Sequence, residues 1–203
     1  MNIYHSIHTI TLQRKIPLEE VSSYRSLLYG LSDRYGTGSY RKSENEYYFY
    51  MYAPQGVIIS LRAARNCGFI KVTINLNSLL YMEIQRVALF SPCQYHIKTL
   101  DRNLRDILQD AQLGTPETFT FARVDFSVNA QTLDPLAYIA LAHRGGVPNG
   151  FKQTYSRFDN KKRNKPIHYA YSYDLKHNTE DYAVSLYSKA DQLRDDYNAQ
   201  FAD

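Results

Sequence analysis

Arg123, Asp125 and Ser127 are spaced two apart in the run Phe-Thr-Phe-Ala-Arg-Val-Asp-Phe-Ser-Val-Asn at 119–129, among Phe119, Phe121, Val124, Phe126 and Val128. Near-alternation in a β-branched, aromatic run predicts a strand with one wet face. That face would carry Arg123, Asp125 and Ser127, each about 7 Å from the next at two strand rises. An aspartate projecting from a rigid strand beside an arginine can serve as a metal ligand or an acid–base group. The same pair also reads as an edge-strand salt bridge on a solvated sheet face, which is the commoner role for such residues.

The second run, Tyr182-Ala-Val-Ser-Leu-Tyr-Ser-Lys at 182–189, also alternates. Val184 and Leu186 would point to a core, which leaves Tyr187 and Lys189 on the opposite face with Ser185. A cation near a phenol stabilises the phenolate, a competent nucleophile toward phosphorus. An exposed strand tyrosine near an ordinary lysine is the plainer alternative.

The remaining pattern supplies elements to hold these runs. Strands are expected over 3–12, 47–52, 57–63 and 69–76, the last three a meander broken by Pro54-Gln55-Gly56 and Asn66-Cys67-Gly68. Helical spacing follows Pro17 through Leu31 and recurs over 97–112, where Gly114 and Pro116 stop it. Asp134-Pro135 caps a helix through Leu141, closed by Gly145-Gly146. Residues 36–43 read as a turn and 151–166 as a basic loop, followed by strands near 167–175 and 181–188 and a polar tail from Ala190. The fold class expected is α+β: a single, mostly antiparallel sheet with helices packed on one face. The chain is expected to form one domain over 1–203, with an N-terminal part over 1–60, a core over 70–193 and a tail over 194–203.

Composition narrows the function classes. The formal charge of +4, from 24 Lys and Arg against 20 Asp and Glu, permits a polyanionic partner without demanding one. Two cysteines, Cys67 and Cys93, lack metal-binding or disulfide spacing, which predicts a reduced, cytoplasmic protein. No apolar run approaches the ~20 residues of a membrane span, and no secretory signal pattern is expected. Nineteen tyrosines and no tryptophan suit half-buried sheet positions, and any on an open face could stack on unpaired bases. Nucleotide-binding glycine motifs, a nucleophile elbow and zinc spacings are missing. His5 and His8, three apart on a strand, would face opposite ways, and His143 near a helix C-terminus suits the dipole.

Arg123-Val-Asp125, then a helix, a basic loop and a hairpin ending in Leu-Tyr187-Ser-Lys189, resembles the trans-acting class of plasmid and phage rolling-circle replication initiators. The likeness spans roughly residues 70–193 and rests on short motifs. It implies a DNA-binding protein of a phage or mobile element that nicks single-stranded or hairpin DNA. By this resemblance Tyr187 would attack a DNA phosphate and become joined to the 5′ end. Lys189 would stabilise charge, and Asp125 would hold Mg²⁺ or Mn²⁺. Arg123, Arg157, Lys161, Lys162, Arg163 and Lys165 would contact the nucleic acid. In a phage-encoded protein the compartment implied is the host cytoplasm.

The family pattern continues into a further strand bearing Arg-x-Glu, whereas this sequence runs to Asp203 without one, and Asp195 and Asp196 are poor substitutes by position. One carboxylate without partners binds Mg²⁺ weakly, because the ion wants several oxygen ligands in octahedral geometry. A second expectation therefore stands beside the first: an inactive binding protein of a mobile element. It would block a host nuclease or ribonucleoprotein in the manner of an anti-CRISPR inhibitor.

Overall fold

The structure is a computed structural model that describes residues 2–82, 93–156, 172–180 and 182–188. Its internal contacts divide the chain into two compact units, one over 3–130 and one made of residues 1–2 with 131–203.

The larger unit is built on a six-stranded sheet. Asn2–Ile16 (β1) runs on through Pro17 into a 3-10 turn and the helix Val21–Arg34 (α1). Ser39–Ser43 (β2), Glu46–Phe49 (β3), Val57–Ala63 (β4) and Gly68–Asn75 (β5) follow as a meander. Leu76–Tyr81 (α2), Gln94–Asp110 (α3) and Thr120–Gln131 (β6) complete the series. The spatial order is β2-β3-β4-β5-β1-β6, so β1 lies inside the sheet and β6 at its edge.

Register decides which side of the sheet is dry. Leu12 opposes Val72, Val72 opposes Ile59, and Ile59 opposes Phe49, so one row crosses four strands on one face. Every member of that row is buried, and a second row through Ile70, Leu61 and Tyr47 is buried beside it. Leu28 and Leu31 of α1, Leu79 of α2, and Leu104, Ile107 and Leu108 of α3 join the same cluster. Tyr29 of α1 meets Phe49 edge-to-face at 5.2 Å between ring centroids, which fixes that helix over β3. At Gly68 a Cβ would come within 2.4 Å of Val21 and 2.8 Å of Ile16, so only glycine lets α1 sit this close to the strand end. Helices α1, α2 and α3 therefore pack on one face, and the α+β class with an antiparallel sheet holds.

The smaller unit contains Pro135–Arg144 (α4) and a three-stranded sheet of Phe151–Ser156 (β7), Ser172–His177 (β8) and Ala183–Tyr187 (β9), in the order β7-β8-β9. Asp134 accepts a hydrogen bond from the Ala137 amide at 3.0 Å, and Pro135 fills the first helical position, where no amide is needed. Ile139 packs with Tyr173 and Leu175 of β8, while the Tyr173 hydroxyl donates to the Gly146 carbonyl at 3.1 Å. No described helix is long and apolar enough to cross a membrane.

Three elements depart from expectation. Residues 39–43 form a strand where a turn is expected, 151–156 a strand where a loop is expected, and 76–81 a helix that begins at the last residue of the strand expected over 69–76. Arg157, Lys161, Lys162, Arg163, Lys165 and Lys189 lie outside the described residues, as does the tail from Ala190.

Candidate functional site

The structure brings Arg123 and Asp125 together on β6. Two residues apart, they share a face, and Arg123 Nε lies 2.6 Å from Asp125 Oδ1. Ser127, next along that face, donates to the Ser6 carbonyl of β1 at 3.4 Å. The expectation of one wet face is corrected here. Arg123 is exposed, but Asp125 and Ser127 are half-buried, while Phe126 and Val128 on the opposite face are 76% and 62% exposed. The reason is position: β6 is the sheet's edge, and its side chains past Phe119 do not join the buried cluster.

At Asp125 the chemistry is already committed to its neighbour. Its carboxylate is the acceptor of a charge-assisted bond, and among the described residues no group of three or more His, Cys, Asp or Glu gathers where a metal could be held. A lone, paired carboxylate does not fit the ligand set that Mg²⁺ or Mn²⁺ requires.

Tyr187 stands at the end of β9 in the smaller unit. Register sets its face: Tyr173 opposes Leu186 and Leu175 opposes Val184 on the side turned to α4, whereas Ser172 opposes Tyr187 and Asp174 opposes Ser185 on the other. Tyr187 thus points away from the Val184/Leu186 side, as its spacing predicts, and is 39% exposed.

The same face carries an acid that the motifs did not single out. Asp174, on the central strand, is a diagonal neighbour of Tyr187, with Cβ atoms about 7–8 Å apart or less in such pairs. Burial pushes the Asp174 carboxyl up, and a hydrogen bond with the Ser185 side chain opposes that rise. Lys152 and Lys176 face each other directly across β7 and β8 on this side, both exposed. Two like charges directly opposite repel, so the pair favours an anion between them. The signal available in the sequence was the alternation Tyr173-Asp174-Leu175, which places an aspartate between two core residues.

At the far end of this sheet His177 stacks on Tyr182 at 4.7 Å between centroids and 19° between planes, with Phe151 edge-on to both. Gly150, at φ +85°, lies against the His177 ring, where a Cβ would come within 2.8 Å of Nε2. Aromatic packing therefore accounts for His177.

The chain matches no protein-family model, no curated protein and no solved structure.

Proposed function

We propose that this chain is a DNA-binding protein of the rolling-circle initiator type, with Tyr187 as a nucleophile toward a DNA phosphate. One observation carries the reading: Tyr187 lies on the side of a three-stranded sheet turned away from α4, diagonal to the half-buried carboxyl of Asp174, with a facing pair of lysines about 13 Å further along the strands, four rises on.

The Tyr187 oxygen forms a bond to phosphorus as the bond from phosphorus to the 3′ oxygen breaks, leaving the 5′ phosphate on tyrosine. The phenol proton passes to the Asp174 carboxylate through one water and is returned to the departing 3′ oxygen. A carboxyl with a raised pKa is suited to both halves of that exchange. Lys152 and Lys176 attract the strand's phosphates.

The test is a denaturing gel of the full chain mixed with a labelled single-stranded or hairpin oligonucleotide, with Mg²⁺ or Mn²⁺ added. A covalent protein–DNA band that vanishes in Tyr187→Phe supports the reading. Absence of any adduct or nick from the wild type refutes it.

The Arg123–Asp125 ion pair favours a second reading, because it occupies the carboxylate a metal would need. In that reading the chain binds DNA, or a nuclease or ribonucleoprotein that handles it, without cutting. A complex that survives both Tyr187→Phe and EDTA supports it, and loss of the complex on either treatment counts against it.

A further inference from the structure

The six-stranded sheet has a second face on which none of α1, α2 or α3 packs, since their buried apolar residues all join the cluster on the first. Register places Tyr40 opposite Tyr48, Tyr48 opposite Ser60, Ser60 opposite Lys71, and Lys71 opposite Gln13, a row crossing five strands. At a strand spacing of about 4.8 Å this row is roughly 19 Å long. A parallel row holds Glu46, Arg62, Phe69 and Lys15.

The composition of this face differs from that of a buried or a merely solvated sheet. Tyr40 is 57% exposed, and Tyr48 and Phe69 are half-buried, so three aromatic rings lie on one side. The Tyr40 and Tyr48 rings sit 6.4 Å apart at 45°, tilted rather than stacked face to face. Lys42 lies 5.8 Å over the Tyr48 ring and 3.6 Å from the Glu46 carboxylate, which also accepts from the Tyr48 hydroxyl at 2.9 Å. Glu46 is the one acid in these two rows, and its charge is met by Lys42. Lys15, Arg62 and Lys71 form no ion pair among the described residues, which leaves a net positive surface beside the rings.

We propose that this face binds a single-stranded nucleic acid, with Tyr40 and Tyr48 stacking on bases and Arg62, Lys71 and Lys15 meeting phosphates. Aromatic rings serve any base because every base has a π-face, while cations follow the backbone. A duplex keeps its bases stacked on one another, so the rings have nothing to engage there. The proposal concerns a different sheet from that of Tyr187 and does not need cleavage.

Fluorescence anisotropy of the full chain with labelled dT20, rU20 and a 20-bp duplex, at about 50 and 200 mM salt, tests it. The expected result is tighter binding of dT20 or rU20 than of duplex. Tyr40→Ala should weaken it about 5- to 160-fold, the usual worth of one stacked base. The double variant Arg62→Gln/Lys71→Gln should flatten the logarithmic salt slope by about one for each phosphate no longer neutralised. Binding by this face does not need cleavage, so a missing adduct with intact dT20 binding refutes the nickase reading alone. Absence of binding to both single strands, equal binding of duplex, or wild-type affinity and salt slope in both the Tyr40 and the Arg62/Lys71 variants, each with a wild-type melting curve, overturns the proposal.

Discussion

Among the described residues, the two units of this chain differ in how many apolar side chains each one buries. Among the described residues, the larger buries 24 apolar side chains in one cluster, whereas the smaller buries Ile139, Tyr173 and Leu175. Burial of a large aliphatic or aromatic side chain is worth about 1.5–3 kcal/mol, so opening the 24-residue cluster costs far more than opening the three-residue one. The smaller unit nevertheless carries the nucleophile candidate and its neighbouring acid. The six-stranded sheet rests on the larger cluster, which makes it a fixed platform.

The largest expected effect breaks that comparison directly. Phe49 has no exposed surface and meets Tyr29 edge-to-face, so Phe49→Ala should cost about 3–5 kcal/mol in urea unfolding. Leu175→Ala, with fewer buried neighbours, should cost nearer to about 2 kcal/mol. Amide hydrogen exchange should find the slowest amides in β4 and β5 and faster ones in β8 and β9. Equal losses for the two variants, with equal protection in both sheets, would mean the chain opens as one cooperative body.

A smaller effect separates two aspartates, one in each unit. Tyr35 and Tyr52 both donate to Asp110 at the end of α3, the Tyr52 bond at 2.5 Å. The hydrogen bond from Tyr35, then that from Tyr52, holds the Asp110 carboxyl below its ordinary value of 3.8. A lowered folded pKa gives stability that is present above 3.8 and lost as pH falls through the folded value. Burial first, then the bond to Asp110, pushes the Tyr52 phenol far above its ordinary 10.0, so that contribution holds below pH 10 and fades above it. Tyr52→Phe should therefore cost about 1–2 kcal/mol at pH 7, and the cost should shrink as the pH drops below about 3.8.

Asp174 has the opposite sign. Its carboxyl is raised by burial, so its share of stability is full below 3.8 and lost as pH rises through the folded value. Asp174→Asn should leave the melting temperature at pH 7 equal to or above that of the wild type, and the difference should vanish near pH 3. A clear drop at pH 7 would mean that the ionised carboxylate has a stabilising partner, which would sharpen the case for a charged group on this face.

How far these features could be read in advance follows from which forces leave a periodic trace. The buried strands β4 and β5 alternate large apolar residues, and α3 repeats Leu100, Leu104, Ile107 and Leu108, so burial itself writes the pattern. Strand β2 has all five residues exposed, and the turn-like Gly, Ser and Arg content of 36–43 hides a strand made by pairing with β3 alone. Helix α2 has six residues, too few to establish a period, and is fixed by Asn75, which accepts from the Ser78 amide at 3.1 Å. The facing of Tyr187 was legible from alternation within one strand. Its nearness to Asp174 was not, because the pairing register of β8 with β9 is set by contacts that no single strand encodes.

The smallest effect concerns the pair on β6. Arg123 is 70% exposed at the side chain and Asp125 32%, so their ion pair works largely in water. Exposed pairs are worth about 0.2–1 kcal/mol and are screened by salt. Arg123→Ala should therefore shift thermal stability by less than about 1 kcal/mol, and by still less at high salt. The same variant has a second consequence, since it releases the Asp125 carboxylate from its ion-pair partner. If Asp125 can take a divalent ion, Arg123→Ala should tighten Mn²⁺ binding, measured calorimetrically against Asp125→Asn. If Arg123→Ala and Asp125→Asn bind Mn²⁺ equally weakly, the pair is a surface salt bridge and Asp125 is not a metal ligand.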